Sequence, residues 1–220
     1  MRTLLAGSAN PHKLEEIRSL LAGLPVRVVG LDALAGAAPD VDEHGATFAE
    51  NARIKAAAYA LAAARRGRPA EPAPAAADWV IADDSGLCVD ALDGAPGVRS
   101  ARYAGERANA GENNRKLLET LRGVPPEART ARFVCAIACA EVPRSGGEPR
   151  VIFEVEGTCP GTIAEAPRGS GGFGYDPLFI DASLGRTFAE IGPDEKNRRS
   201  HRGAALRRFR ELFLEAIDGG

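Results

Sequence analysis

The chain has 220 residues, 45% of them apolar and 26% charged, with a formal net charge of −2. That length buries a substantial core, the composition is that of a globular protein rather than a disordered or fibrous chain, and the charge is far from the basic excess of a protein that lives on long nucleic acids. With no run of about 18 apolar residues and no basic-then-apolar leader, neither a membrane span nor secretion is expected, and the cytoplasm is the default compartment.

Thr3-Leu4-Leu5-Ala6 reads as a short apolar strand and Gly7-Ser8-Ala9-Asn10 as the loop after it. Asn10 is placed to cap a helix with Pro11 at its first position, where a missing N–H costs nothing. Leu14, Ile17, Leu20 and Leu21 recur at helical spacing and predict its buried face. The first-turn amides of such a helix suit an anion, and Lys13 sits among them against the helix dipole, a conflict that a bound phosphate would reverse. On spacing alone, an ordinary strand-loop-helix is the competing account. Val26 to Val29 predicts a second strand, followed by a loop and the acids Asp40, Asp42 and Glu43 just before His44-Gly45. On the residues alone these acids read as a solvated approach to a helix. Thr47 and Glu50 form a capping box, so a helix is expected from about Phe48 through an alanine-rich run to Ala64, with Asn51 and Lys55 on one face. Gly67 to Asp78 is rich in Pro and Ala without apolar period and reads as a mobile surface insertion.

The central stretch, Ile81 to Gly105, begins as an apolar strand, Trp79 to Ala82, that runs into Asp83 and Asp84 and then Ser85-Gly86. The two carboxylates are expected at a strand end. Side by side they repel by roughly 4 kcal/mol at an effective dielectric of ~20, unless a proton or cation intervenes. A solvent-facing acidic turn and a divalent-metal site are the two readings of that pair. Gly94, Pro96 and Gly97 predict a rigid turn, with Arg99, Arg102 and Tyr103 after it. A helix follows from Asn109 or Glu112, burying Leu117, Leu118 and Leu121 and ending at Pro125-Pro126. Ala131 to Glu141 and Arg150 to Thr158 alternate as a hairpin joined by the breaker-rich turn 143–149. Gly169 to Pro177 brings four glycines together with Phe173 and Tyr175, which reads as an ordinary turn or as a loop that approaches a flat ligand. The run Glu195 to Gly203 crowds Lys196, Arg198, Arg199, His201 and Arg202 toward the N-terminal end of a final helix whose inward residues include Leu206, Phe209 and Phe213. A solvated basic turn competes there with a ligand site. Cys88, Cys135, Cys139 and Cys159 lack C-x-x-C spacing and are expected as reduced core residues.

The central stretch, ADDSGLxVDALxGxPGVxSARYAG, resembles the signature of the inosine triphosphate pyrophosphatase family, which removes non-canonical purine nucleotides. Four further stretches are similar to that family's motifs: S-x-N-x-x-K-x-x-E at Ser8 to Glu16, TFxENAxxKA from Thr47, GSGGFGYDPxF from Gly169, and EKNxxSHRGxAL from Glu195. The resemblance spans nearly the whole chain outside the insertion and the 143–149 turn. Strands and helices that alternate early, with antiparallel pairs in the middle, predict a mixed α/β fold whose elongated twisted sheet with flanking helices supports two lobes. The resemblance implies one domain over residues 1–220 with a nucleotide cleft between those lobes. It also implies hydrolysis of ITP, dITP and XTP to monophosphate and pyrophosphate. Ser8, Ala9, Asn10, Pro11, His12 and Lys13 are expected to cradle the phosphates, with Lys55 and Lys196 offsetting their charge. Asp84, Asp83 and the acid best matched by Asp42, with Glu43 as its neighbour alternative, are expected to hold Mg2+, and Asp84 also to deprotonate the attacking water. Ser85, Phe173, Gly174, Tyr175, Asp176, Lys196, His201 and Arg202 are implied substrate contacts, and a homodimer is implied as well. A related pyrophosphatase for pyrimidine or modified nucleotides, and a non-catalytic nucleotide-binding protein, are the alternatives.

Overall fold

The computed structural model describes residues 2–34, 38–64, 77–144 and 147–218. Of the expected insertion from Gly67 to Asp78, only residues 77 and 78 are among them, and positions 145 and 146 of the breaker turn also lie outside the described residues. Strands β1 (Arg2–Ala6), β2 (Val26–Val29), β3 (Trp79–Val89), β4 (Thr130–Glu141), β5 (Arg150–Ile163) and β6 (Phe179–Asp181) form one sheet in the order β2-β1-β3-β4-β5-β6. β1 is parallel to β2 and to β3 whereas β5 is antiparallel to β6, so the sheet is mixed, as expected. Helices α1 (Pro11–Leu20), α2 (Phe48–Ala64), α3 (Ala110–Thr120), α4 (Pro193–Arg199) and α5 (His201–Asp218) flank it, and among the described residues no helix is long and apolar enough to cross a membrane.

The chain divides into two compact units. The first comprises Met1–Asp84, Ala136–Glu156 and Ala205–Gly220. Its core joins Leu4 and Leu5 of β1, Val80 and Ile81 of β3, Ile17 of α1 and Leu21 at its end, with Trp79 edge-on to Phe213 at 5.2 Å. The alanines of α2 have a physical use: Ala52, Ala56 and Ala60 recur every fourth residue and are essentially fully buried, so small side chains form its packed stripe. The second unit comprises Ser85–Cys135 and Gly157–Ala204, and its core is aromatic. Phe133, Phe179 and Phe188 pack with centroids 4.5 to 6.0 Å apart beside Leu87, Leu117 and Leu178. All four cysteines are free and buried, as the sequence predicts.

Asn10 and Asn109 both cap helices through their side chains, the second in a capping box with Glu112. α3 stops at Thr120, before Pro125, and the buried Arg129 guanidinium donates to the Val124 and Leu121 carbonyls beyond it at 2.9 and 3.1 Å. After the expected turn at Gly94 to Gly97, Gly97–Arg102 forms a 3-10 helix.

Two expectations need correction. Asp83 and Asp84 are not at a strand end: β3 continues through them to Val89, buried at every position but Ser85, because Leu87 and Val89 supply apolar anchors past the acids. The basic run is not a crowd at one helix N-terminus either. Ser200 breaks it, so Lys196, Arg198 and Arg199 occupy the last turn of α4, where the dipole favours cations, and only His201 and Arg202 open α5.

Candidate active site

The two carboxylates of β3 take their direct partners from different helices, although both lie close enough to Lys55 to act on its charge. Asp83 meets Lys13 of α1 at 2.9 Å, and Asp84 meets α2. Asn51 and Lys55, one turn apart on α2, take the two oxygens of Asp84 separately: Lys55 Nζ donates to Oδ1 at 2.8 Å and Asn51 Nδ2 to Oδ2 at 3.3 Å. Lys55 also donates to Glu43 Oε2 at 3.1 Å. The acid that joins the cluster is therefore Glu43; Asp42, the preferred match, has a side chain 94% exposed and lies beside His44. The loop alternates, turning Glu43 inward and its neighbours outward, a pattern that counting back from Gly45 does not reveal.

Asp83 and Asp84 are buried in this first unit, at 3% and 7% exposure, with Lys55 at 8%. Burial opposes the charge on Lys55, but Asp84, Asp83 and Glu43 outweigh it and hold the ammonium above its ordinary range. Burial pushes the Asp84 carboxyl up; Lys55 draws it down by charge and hydrogen bond, Glu43 adds to the rise, and the net direction is upward. The result is a permanently charged lysine beside a carboxylate more basic than usual, which suits a proton acceptor. Three carboxylates share two ammoniums, Lys13 and Lys55. Among the described residues no three His, Cys, Asp or Glu side chains form a ready cage for a metal, since the lysines thread the acids together. The donors are all oxygens and carry an excess of negative charge, so the set fits a hard divalent ion such as Mg2+ in chemical type.

The loop before α1 differs from the expected open cradle. Asn10 Oδ1 accepts from the amides of His12 and Lys13 at 3.0 and 3.4 Å, and Ser8 Oγ accepts from Asn10 N–H at 3.2 Å. The cap thus occupies first-turn amides on which an anion would rely. Ala9, Pro11 and His12 are exposed.

In the second unit, Asp176 Oδ2 accepts from Phe173 N–H at 2.7 Å and from Lys196 Nζ at 2.8 Å. Lys196 lies over the Phe173 ring at 4.3 Å and Arg202 at 5.9 Å. Gly172 has φ +71, and a Cβ there would lie 2.1 Å from Asp176 Oδ2, so the loop needs glycine for both conformation and space. Tyr175 is a core residue: its ring is 5% exposed and its hydroxyl donates to Ser100 O at 2.9 Å. Phe173 and Gly174 are half-buried. Arg202 donates to Ser85 Oγ at 2.8 Å, and His201 stacks on Phe133 at 4.6 Å. Lys196, expected on phosphate, is bound instead to the aromatic loop. Sequence reasoning missed Asn114, whose Nδ2 supports that loop by donating to Gly174 O at 3.0 Å, and Ser100, whose hydroxyl bridges Leu87 N–H and Gly97 O. A polar residue one turn before buried Leu117 was the available signal for the first.

A family model described as the Ham1 family matches residues 4–212. The chain is 50% identical to the dITP/XTP pyrophosphatase of Geobacillus kaustophilus over 219 residues, covering 100% of this chain and 98% of the relative. It is 50% identical over 206 residues to the dITP/XTP pyrophosphatase of Xanthomonas oryzae pv. oryzae, covering 94% of each. Among solved structures it resembles a HAM1 protein from Coxiella burnetii, with a TM-score of 0.80 at 39% identity over 98% of this chain and 100% of that one. The Staphylococcus aureus Ham1 protein gives a TM-score of 0.76 at 36% identity with the same coverage. With a family model matching residues 4–212 and relatives matching along its whole length, this chain belongs to the Ham1 family.

Proposed function

We propose that the chain hydrolyses non-canonical purine nucleoside triphosphates, ITP, dITP and XTP, to the monophosphate and pyrophosphate. The observation that carries this reading is the buried set in the first unit, in which Lys13 pairs with Asp83 while Lys55 pairs with both Asp84 and Glu43. Its likeness along the whole chain to dITP/XTP pyrophosphatases supports it.

A triphosphate brings about four negative charges, and attack by water needs them offset. Lys13 and Lys55, with the side-chain amide of Asn10, bind the phosphates, while Ser8 holds the loop that presents them. Asp84, Asp83 and Glu43 would hold Mg2+, which when bound offsets phosphate charge and acidifies water. Asp84 orients the attacking water and takes its proton on a carboxylate oxygen. The pyrophosphate leaves with the bridging oxygen, so one water is consumed and one proton stays with the enzyme until released to solvent.

In the second unit, the base contacts the half-buried Phe173 loop, Asp176 fixes Lys196, and Tyr175 supports the loop from the core. His201 and Arg202 direct donors at a 6-keto purine, and adenine, with an amino group there, leaves them unmatched at a cost of several kcal/mol. The resemblance adds a single domain and a homodimer, and the near-neutral charge of the sequence adds no nucleic-acid polymer as partner, with the cytoplasm as the expected compartment; sedimentation of the purified chain tests the dimer. The deciding experiment for substrate is pyrophosphate release with Mg2+ from ITP, dITP and XTP against the four standard triphosphates and a pyrimidine panel. Preference for the first three is expected. ATP turned over as fast as ITP overturns the selectivity, pyrimidine preference moves the activity to the related class, and no turnover leaves a nucleotide-binding protein.

A further inference from the structure

We propose that Asn51 is the positioning residue of the acidic cluster, its side-chain amide orienting the Asp84 carboxylate and pinning, at Gly45, the loop that delivers Glu43. The proposal rests on reading that cluster as the catalytic centre. Asn51 is fully buried, and a buried amide left unmatched is destabilising. Both of its ends are used: Nδ2 donates to Asp84 Oδ2 at 3.3 Å, and Oδ1 accepts from Gly45 N–H at 2.8 Å. The helix itself does not need this residue, because Thr47 and Glu50 already cap α2. Gly45 approaches as closely as a chain can: a Cβ there would sit 2.6 Å from Asn51 Oδ1 and 2.7 Å from Glu50 Cβ. Two residues later the chain is locked again, with Thr47 N–H donating to Glu50 Oε2 at 3.1 Å, so Glu43 hangs from a fixed point.

Lys55 also links Glu43 to Asp84, but through a charge that a polyphosphate competes for. The Asn51 amide is neutral and offers an anion little competition for its partners. It keeps the two acids in register when Lys55 turns toward substrate. Because Asn51 and Lys55 hold different oxygens of Asp84, the amide also fixes the rotation of the carboxylate, so that one oxygen stays committed while the other exchanges partners.

Asn51→Leu and Asn51→Asp separate the two links. Aspartate keeps an acceptor for Gly45 N–H but replaces the donor to Asp84 with a like charge; leucine removes both. Hydrogen exchange at Gly45 in the unliganded protein is measured beside kcat and KM for ITP. Asn51→Leu is expected to speed Gly45 exchange at least about tenfold and to lower kcat about 10–100-fold with KM little changed. Asn51→Asp is expected to keep Gly45 protected as in wild type yet lose kcat to a similar extent. Wild-type Gly45 protection in Asn51→Leu, or undiminished kcat in Asn51→Asp, overturns the proposal, as does a loss confined to KM. Should the leucine variant fail to fold, the near-isosteric aspartate decides through kcat. If wild type turns over no triphosphate, the functional reading falls, and Gly45 exchange still decides whether Asn51 pins the loop.

Discussion

Replacing Lys55 with Met removes the ammonium that joins Asp84 to Glu43 while keeping a flexible chain of similar length. The Lys55 and Asp84 side chains are 9% and 10% exposed, so solvent screens little of what is lost. Breaking one partner out of a buried pair costs about 3–5 kcal/mol, and for a chain of this size each kcal/mol moves Tm by about 2–4 °C, so a fall of about 6–20 °C is expected. The loss depends on pH. In wild type the Lys55 ammonium is raised, so its contribution is complete below the ordinary value of 10.5 and fades only as pH climbs through the higher folded value. In Lys55→Met the Asp84 carboxyl, already pushed up by burial, loses the cation that draws it down and rises further. A carboxyl raised on folding contributes stability below its ordinary 3.8 that is lost as pH rises through the folded value. The deficit relative to wild type is therefore larger at about pH 8 than at about pH 5. Adding Asp84→Asn removes the orphaned charge and should recover about 2 kcal/mol or more. Thermal unfolding of wild type, both single variants and the double at the two pH values reads all of this. Equal deficits at both pH values, or strict additivity in the double variant, would refute the electrostatic account of the cluster.

Gly172→Ala places a methyl group 2.1 Å from Asp176 Oδ2 at a φ of +71, so the Phe173 and Lys196 arrangement must shift; KM for ITP should rise about tenfold or more, and an unchanged KM removes this loop from substrate binding. Burial acts to raise the Asp181 carboxyl, but hydrogen bonds from Ser183 and Leu184 outweigh it and hold the group below its ordinary 3.8. Its contribution is present above that value and lost as pH falls through the folded one, so Asp181→Asn should cost about 1–3 kcal/mol at pH 7 in urea unfolding and flatten the acid limb. Burial raises the Cys159 thiol to about 12 and the Cys139 thiol still more. All four thiols should therefore be silent to a disulfide reagent in the native protein and react after unfolding; rapid native reaction would contradict the burial.

Two helix starts were legible because the signals are local, Asn10 before Pro11 and Thr47 with Glu50, whereas the start of α3 was left between Asn109 and Glu112, which turn out to cap it together. The pairing of distant segments was not. Nothing in the spacing of Asp42, Glu43 and Gly45 says which acid turns toward Lys55, because an irregular loop has no period to read. Asn51 and Lys55 could be placed on one helix face, but their grip on both oxygens of Asp84 depends on how closely an alanine stripe lets α2 approach its neighbours. Asp83-Asp84 suggested a strand end because charges rarely lie in the middle of a buried strand; lysines from two helices are what permit it here. The break at Ser200 was hidden because no proline marks it and the flanking arginines favour a helix on both sides.

The most direct measurement is pyrophosphate release from ITP with Mg2+ by wild type and by Asp84→Asn, with nucleotide binding followed in parallel by calorimetry. The account predicts rapid release by wild type, a loss of about 10²–10⁴-fold in the variant, and binding that stays measurable in both. Full turnover by Asp84→Asn would contradict it.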